Sequence, residues 1–299
     1  MKYDLIIVRY GEIALKSKFV RKKFENILIK NINFALKKEK IESKIEKERG
    51  RIYIFTDKIK PTISVLKKIA GIISFSPCLK IDSKLEAISK VSLEYSKKYL
   101  KKDMNFAVRA TRTGNHSYTS KDVERVIGQD ILDKYKSKVD LTDPDFTLYV
   151  EIRDDIAYIF NEKTSGIGGM PVGSQDKVLC VIKNPYSILA SWYILRRGCN
   201  LLFFVKKDFD LKILNSFIKR WYLKDDIIFF NKGEEFYRKI NDISSSKKCK
   251  AVITDFYRLD EEEIMTIKEY KNKINAPILH PLTHMHENEI NKKLKEIGL

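Results

Sequence analysis

The sequence predicts two α+β modules followed by an α/β module with a parallel sheet. The first 80 residues read β-α-β-β-α-β, which is the element order of a ferredoxin-like domain. The segment TSGIGGMPVGSQ at 164–175 is rich in glycine and marks a linker. Beyond the linker, strands and helices alternate, which is typical of a parallel sheet covered on both faces. The expected domains are therefore 1–80, 81–168 and 172–299.

The ferredoxin-like module opens with a buried strand, YDLIIV at 3–8, and continues with a basic helix. The apolar residues of that helix recur at helical spacing, so they predict a buried face: Phe24, Ile27, Leu28, Ile32, Ala35 and Leu36. Strands at 41–47 and 51–55, a helix at 61–69 and a strand at 72–80 complete the module.

The second module continues with a helix that ends near Leu100 and a short strand at 106–108. Either Thr119 or Ser120 can cap the next helix, because Asp122 is well placed in its first turn. DFTLYVEI then alternates as a strand, and IAYIF pairs with it as a hairpin.

The α/β module has five predicted strands and five predicted helices. The strands are expected at 178–182, 201–205, 227–230, 250–254 and 277–280. The helices are expected at 186–197, 211–222, 233–243, 260–273 and 287–297.

The charge of the chain is strongly positive and unevenly distributed. The formal net charge is +18 at pH 7, and residues 1–60 hold 17 Lys and Arg against 8 Asp and Glu. Such a balance favours a polyanionic partner, first nucleic acid and then an acidic membrane. The alternative is a surface of simply solvated lysines. Concentration of the excess in one module favours a binding surface.

The cysteines and apolar segments predict a cytoplasmic protein that is not in a membrane. Cys78, Cys180, Cys199 and Cys249 are far apart and form no C-x-x-C pair, which indicates reduced thiols. The longest apolar runs, such as NLLFFV, are too short to span a bilayer. The N-terminus, with Asp4 and Arg9 around five apolar residues, does not resemble a secretory signal.

One segment, FAVRATRTGNHSYTSKDVERVIG, gathers groups suited to RNA within a strand, a loop and the start of a helix. These are Arg109, Arg112, His116, Tyr118, Lys121 and Arg125. Arginine can bind phosphate with two hydrogen bonds, tyrosine can stack on an unpaired base, and a helix N-terminus accepts an anion. A solvated loop that carries these charges without a ligand is the alternative.

Several blocks of the sequence resemble, in order and spacing, the tRNA 4-thiouridine synthetase (ThiI) family. They are VRYGEIALKSKFVRKKFE, RGRIYI, KKIAGIISFSP, the RNA-binding segment above, TSGIGGMPVGSQDKVL and PILHPLTHMHENEINKKLKEIGL. The resemblance implies a ferredoxin-like domain, a THUMP domain (whose family limits start near residue 60) and a C-terminal PP-loop domain of the adenine nucleotide alpha hydrolase type. It also implies that the first two domains hold the acceptor stem and 3′ end of tRNA. In the family, the third domain adenylates a uridine with ATP, and cysteines deliver sulfur.

The RNA-binding positions of the family carry over well. Its Arg-Tyr-Gly-Glu falls on Arg9 to Glu12, its following lysine on Lys16, and Arg21 lies in the same block. The THUMP arginines fall on Arg109, Arg112 and Arg125. The resemblance therefore implies tRNA as the partner.

The PP-loop does not carry over. The family's S-G-G-x-D-S falls on Ile182, Lys183, Asn184, Pro185, Tyr186 and Ser187. Only Ser187 agrees, and the lost glycines and aspartate are those suited to phosphate approach and to Mg²⁺. Pro185 also lacks a backbone donor. We therefore expect a nucleotide loop that is now silent and no bound cofactor, although Lys183 could still attract an anion.

Other sulfur-transfer features are also missing from the expected positions. FYRKINDISSSKKC stands where many relatives carry C-x-x-C, and DFYRLDEEE replaces a small-residue stretch. The chain stops at Leu299, before the segment that bears the sulfur-carrying cysteine in relatives. Cys249 lies among lysines, which could lower its pKa, but a structural thiol is the preferred interpretation.

HPLTHMH gathers His280, His284 and His286, which could bind a transition metal with Glu287 if the loop folds back. Relatives have other residues here, and a helix-entry loop with ordinary polar histidines is the preferred interpretation, with no metal expected.

The leading hypothesis is a tRNA-binding protein with a degenerate PP-loop domain, acting as a homodimer or with a partner enzyme whose PP-loop is intact. The rival is an active ATP-dependent tRNA sulfurtransferase that uses ATP, Mg²⁺ and a rearranged loop or external sulfur. A THUMP-linked methyltransferase would need a Gly-rich cofactor loop, which is missing here. Membrane binding is disfavoured because the apolar face of the basic helix is an expected core surface.

Overall fold

The computed structural model describes residues 2–48, 50–101, 104–135, 137–231, 233 and 235–299. The chain divides into two compact units. The first unit contains Met1–Arg9, Ile41–Ile63 and Ser74–Ser165, and the second contains Tyr10–Lys40, Ser64–Ile73 and Gly166–Leu299.

The first unit is organised by a nine-stranded sheet. Its strands, in chain order, are β1 Leu5–Arg9, β2 Lys44–Glu48, β3 Arg51–Phe55, β4 Ser74–Asp82, β5 Asn105–Thr113, β6 Lys138–Val139, β7 Phe146–Arg153, β8 Ile156–Phe160 and β9 Thr164–Ser165. The order across the sheet is β2-β3-β1-β4-β8-β7-β5-β6, and β9 pairs with β4. Most neighbours are antiparallel, whereas β5 runs parallel to β6 and β7.

Strand β4 joins the two halves of this sheet. Its first residues pair with β1, from Arg9 opposite Ser74 to Leu5 opposite Cys78. Its last four residues pair with β8, beginning with Leu79 opposite Ile159. The predicted boundary between residues 80 and 81 thus falls inside one continuous strand.

Two helices of the first unit, α3 Leu85–Tyr99 and α4 Ser120–Tyr135, pack on one face of the sheet. Ile88 and Tyr95 of α3 and Ile127 of α4 are buried with Phe106 and other apolar residues of β5, β7 and β8. This pattern follows from the alternation in DFTLYVEI, which turns every second side chain toward the helices.

The second unit is built on a parallel sheet of five strands in the order β12-β11-β10-β13-β14. These strands are β10 Lys177–Ile182, β11 Asn200–Lys206, β12 Ile227–Phe230, β13 Val252–Ile253 and β14 Ile278–Leu279. The associated helices are α5 Pro185–Arg196, α6 Leu211–Arg220, α7 Phe236–Ser246, α8 Glu261–Lys273 and α9 Glu287–Ile297. Apolar clusters lie on both sides of the sheet, as in an α/β fold. The predicted fold class is confirmed.

The second unit also contains a 3-10 turn at Glu12–Leu15, the helix α1 Lys18–Lys38 and part of α2 Ile59–Leu66. The predicted helix 233–243 includes Glu234, which lies outside the described residues, and α7 begins at Phe236. The other helices for which a start was predicted begin within two residues of it, because apolar period and capping residues mark them in the sequence.

The glycine-rich segment predicted as a linker is packed and hydrogen-bonded. The Gly168 amide donates to Ile72, and the Met170 amide donates to Arg196. A Cβ built on Gly169, whose φ is +75°, would lie 2.2 Å from the Arg196 carbonyl oxygen. The glycines here are needed for close backbone approach rather than for flexibility.

Candidate nucleic-acid interface and nucleotide loop

The loop after β5 is held in one shape by its own polar side chains. Arg112 Nη1 donates to Gly114 and lies 3.2 Å from His116 Nδ1. The other ring nitrogen of His116 is 2.6 Å from the Asp154 carbonyl oxygen, so it must be the protonated one. The Tyr118 hydroxyl donates to the Ser83 carbonyl, and its ring lies 5.2 Å from that of His116. The structure thus brings three predicted RNA-binding residues together in an ordered loop.

Gly114 is required at the start of this loop. Its φ is +107°, and a Cβ there would come within 2.7 Å of the Asp154 side chain and 3.1 Å of its backbone. The tight turn lets the loop lie against the β7–β8 hairpin.

Three other predicted residues line a groove beside α4. Arg109, Lys121 and Arg125 border a cavity of about 360 Å³ together with apolar residues of β5 and α4. Thr119 caps the helix, since its hydroxyl accepts from Asp122 N at 3.2 Å and Asp122 accepts from Thr119 N at 2.9 Å. The predicted cap is confirmed at Thr119. The groove therefore has cations at the N-terminal end of α4, where the helix dipole also attracts anions.

Arg9, which was predicted to contact RNA, is held by partners within the first unit. Its guanidinium is 13% exposed and lies 3.0 Å from Glu151. It also donates to Ser76 and lies over the ring of Phe160. Because these partners occupy the side chain within the sheet, Arg9 has little surface to offer RNA. We interpret it as a structural residue.

Glu151 is the centre of a cationic cluster that sequence reasoning missed. Arg51 Nε is 2.6 Å from its carboxylate and Arg153 Nη1 is 3.6 Å away. Burial opposes ionisation of Glu151, but Arg9 and Arg51 outweigh it, so the pKa of its carboxyl lies below the usual value. Three guanidiniums around one carboxylate leave an excess of positive charge on this face.

Aromatic rings extend the same sheet face. Tyr53 stacks on Tyr158 with centroids 5.3 Å apart, and Lys163 Nζ lies 3.9 Å from the Tyr149 ring. Burial, with a smaller contribution from Arg9, lowers the pKa of Lys163. The sequence does contain a signal for this face. In β7 the aromatic Tyr149 alternates with residues that pack against the helices, so its side chain lies on the other face of the sheet. Tyr53 and Tyr158 are each 2% exposed and belong to the core, whereas Tyr149 is half-buried and Lys163 is exposed. Of these groups, Tyr149 and Lys163 are the ones that suit contact with an unpaired nucleic-acid strand.

In the second unit, Lys16 is exposed and Arg21 is partly exposed, with its Nε 3.9 Å from Glu25. Two apolar side chains near Lys16 are more exposed than any other large apolar residue described, Leu15 at 89% and Phe19 at 81%. The sequence pattern did not single them out.

The degenerate PP-loop satisfies its own amides. Ser187 Oγ accepts from the Lys183 amide at 3.1 Å and from the Asn184 amide at 3.4 Å. The Asn184 side chain in turn caps α5 by accepting from Ser187 N. Pro185 follows at the first helical position, where its missing donor does no harm. Three backbone donors of the loop, those of Lys183, Asn184 and Ser187, are thus used inside it.

An internal carboxylate lies against the same loop. Asp255, 9% exposed, accepts from Ser187 Oγ and from Asn184 Nδ2, both at 2.7 Å. Lys183 Nζ donates to the Tyr270 hydroxyl at 2.8 Å, and burial lowers the pKa of this lysine. A cavity of about 330 Å³ lies beside the loop, with Lys183, Tyr186 and Asp255 among its lining residues. A bound triphosphate would meet the charge of Asp255 at this point.

The three histidines of HPLTHMH take separate partners. His280 Nδ1 is 2.5 Å from Thr254 Oγ1, and the His284 ring lies beside Tyr193. The His286 backbone amide donates to Glu289 at the start of α9. No group of three or more His, Cys, Asp or Glu side chains in the described ranges is arranged to hold a metal ion.

Burial is the main influence on the four thiols. Burial raises the pKa of Cys249, although Lys177 acts in the opposite direction. Burial also raises the pKa values of Cys78, Cys180 and Cys199. No helix in the described part of the chain is long and apolar enough to cross a membrane.

Comparisons with known proteins identify two domains in the first half of the chain. The ThiI ferredoxin-like domain matches residues 5–76, and the THUMP domain matches residues 82–162. The Pyrococcus horikoshii protein PH1313 superposes with a TM-score of 0.86 and 29% identity, over 99% of this chain and 100% of that one. A 4-thiouridine synthetase solved as an RNA complex with bound ATP has the same fold, with a TM-score of 0.78 and 24% identity over 99% of this chain and 85% of that one.

Two curated relatives are similar over nearly their full lengths. A probable tRNA sulfurtransferase of Methanobrevibacter smithii is 30% identical over 340 positions, covering 100% of this chain and 87% of the relative. One of Methanocaldococcus jannaschii is 33% identical over 335 positions, covering 98% and 87%. Both alignments are longer than the 299 residues here, so the relatives carry segments without a counterpart. The chain belongs to the tRNA sulfurtransferase (ThiI) family.

Proposed function

We propose that this protein binds the acceptor end of tRNA and that its PP-loop no longer activates uridine with ATP. The observation that carries the proposal is the groove that brings Arg109, Lys121 and Arg125 together within the residues matched by the THUMP domain. The exposed guanidinium and ammonium groups suit a phosphate backbone. The RNA complex of the structural neighbour and the names of the relatives support tRNA as the polyanion.

Two surfaces of the first unit can contribute in different ways. The groove at α4 carries cations for phosphates, and the sheet face at Tyr149 and Lys163 carries a half-buried ring and a cation for an unpaired base. An acceptor stem with a single-stranded 3′ end offers both kinds of ligand. Arg112, His116 and Tyr118 form an ordered loop in the same unit, and we retain them as proposed contacts.

The silent PP-loop is supported by the bonds within it. Ser187 Oγ takes the amide donors of Lys183 and Asn184, and Asp255 supplies the negative charge next to them. An ATP phosphate would have to displace a buried carboxylate that makes two hydrogen bonds of 2.7 Å. No cofactor is needed for the proposed role, and a homodimer or a partner with an intact PP-loop stays a prediction.

The rival, an active ATP-dependent sulfurtransferase, is favoured by family membership and by the cavity beside Lys183. The two are separated by one assay of the full-length protein with tRNA, ATP and Mg²⁺, in which pyrophosphate release is measured. We expect none above the protein-free blank. Release that Lys183→Gln abolishes would establish the rival.

RNA binding is tested by fluorescence anisotropy with an acceptor-stem minihelix between 50 and 200 mM salt. The binding constant K falls as salt rises, and each lost phosphate contact makes the slope of log K against log salt less steep by about 0.9. We expect the triple variant R109Q/K121Q/R125Q to make this slope less steep by about 2 to 3. The matched control R238Q/K239Q/K268Q makes the same charge change at exposed positions of α7 and α8. Equal slopes for the two triple variants would contradict the proposed groove.

A further inference from the structure

A second cavity, distinct from the nucleotide loop, lies within the second unit. Its volume is about 600 Å³, in the usual range of small-molecule sites. It is lined by residues of α1, of the segment 68–70 and of the connection 221–226 between α6 and β12. Residues of the glycine-rich segment, the end of α5 and the starts of β10 and β11 complete the lining. None of the six residues of the degenerate PP-loop lines it.

The cavity has an aromatic wall. Trp221, 7% exposed, Phe34, 39% exposed, and Tyr222 line the same space. Flat aromatic surface is therefore available to a ligand.

Tyr222 stands where glycine is the ordinary residue. It follows Trp221, the C-cap of α6, and its φ is +53°. A left-handed conformation at this position costs a tyrosine about 1 kcal/mol or more, whereas glycine adopts it freely. The side chain is held at the wall, because its hydroxyl donates to Glu39 at 3.0 Å and Lys68 Nζ lies 5.8 Å from its ring. A strained aromatic residue at the wall of a cavity points to a role for its ring.

The charged residues of the cavity are mostly cationic. Lys30, Lys68, Lys177 and Lys224 line it, against one carboxylate, Asp226. Asp226 is 3.3 Å from Lys177, so the negative charge is associated with one lysine. The remaining lysines favour an anionic ligand.

We propose that this cavity binds a planar aromatic anion of mononucleotide size. The ring system would lie against Tyr222 and Trp221, and its phosphate or carboxylate would face Lys68 and Lys224. The site is independent of the RNA-binding groove, since none of its residues belongs to the first unit.

The test uses the full-length protein, calorimetry and three probes: AMP, adenosine and inorganic phosphate. We expect AMP to bind with one site per chain, and adenosine and phosphate to bind at least about tenfold more weakly, because each lacks one of the two recognised parts. Failure of AMP to bind at millimolar concentration would overturn the proposal, as would equal affinity for adenosine.

Variants locate the binding. Tyr222→Gly removes the ring at a position whose backbone suits glycine, so the fold is retained, and we expect at least about a tenfold loss of AMP affinity. K68Q/K224Q is expected to weaken AMP and leave adenosine unchanged. Lys183→Gln, beside the PP-loop, is the control that should leave AMP affinity unchanged. Affinity that responds to Lys183→Gln and not to Tyr222→Gly would overturn the assignment.

Discussion

Replacing Glu151 with glutamine isolates the buried cluster at the centre of the first unit. Glu151 is 5% exposed, and its carboxylate has Arg9 at 3.0 Å, Arg51 at 2.6 Å and Arg153 at 3.6 Å. Glutamine keeps the shape and one oxygen acceptor but removes the charge. The variant therefore leaves three guanidiniums together without their counter-charge.

The expected loss is large because the cluster is buried. Breaking a buried ion pair by removing one partner costs about 3 to 5 kcal/mol. Since the glutamine oxygen still accepts one hydrogen bond, we expect about 3 kcal/mol. Local opening of the sheet should then become more than about a hundredfold more frequent.

The loss should depend on pH in one direction. The folded pKa of Glu151 lies below its ordinary value, chiefly because two guanidiniums outweigh its burial. The contribution of the ionised group is therefore complete above the unfolded pKa of about 4.3 and is lost as pH falls toward the folded pKa. The difference in free energy between wild type and variant should shrink in acid.

Hydrogen exchange of peptides from β1, β4 and β7, read by mass spectrometry, measures this loss. Tryptophan fluorescence does not serve, because Trp192 and Trp221 both lie in the second unit. Asp242→Asn is the control, since its pair with Arg238 is 3.8 Å long and exposed and should contribute at most about 0.5 kcal/mol. An increase in exchange below threefold for Glu151→Gln, or no change of the difference with pH, would refute the reasoning.

Two further predictions concern single side chains. Thr119→Ala removes the cap of α4 and should cost about 1 kcal/mol in hydrogen exchange of that helix, with Ser120→Ala as the control; a larger cost for Ser120→Ala would contradict the assignment of the cap. Burial lowers the pKa of Lys183, so the unfolded chain binds the lysine proton more tightly than the folded chain does. The free energy of unfolding should therefore rise with pH between the lowered folded pKa and the ordinary lysine pKa of about 10.4. Urea unfolding followed by tryptophan fluorescence at pH 7.5 and 9.5 should show this rise for the wild type relative to Lys183→Met. An equal change in the free energy of unfolding for the two proteins between these pH values would count against the prediction.

Elements with a strong local signal could be predicted closely. Helix α9 was expected at 287–297 and lies at Glu287–Ile297, because its apolar period and its first-turn acidic residues are contained in the segment itself. The two-residue strands β6 and β9 were not predicted, since pairing with distant strands creates them. The expected strand 250–254 shortens to Val252–Ile253 for the same reason, because a neighbouring strand defines its length.

The candidate site shows the same division. Arg109 to Arg125 lie in one segment, so their proximity could be foreseen, and the structure divides them between a groove and an ordered loop. The Glu151 cluster draws its cations from three strands separated by up to 144 positions, which no local pattern reveals. The position of Arg9 within the sheet could not be foreseen either, because a sequence motif does not show where a side chain points.

The shared strand β4 has a consequence for how the polypeptide is made. Residues near the start of the chain, Leu5–Arg9, pair with β4, whose last residues pair with Ile156–Ile159 about 80 positions later. A growing chain on the ribosome can therefore form the β1–β4 pairing early, but must carry an open strand edge until the β7–β8 hairpin emerges. A fragment that starts at residue 81 would lose most of β4 and therefore most of its pairing with β8. Any recombinant fragment of the THUMP region should begin upstream of Ser74.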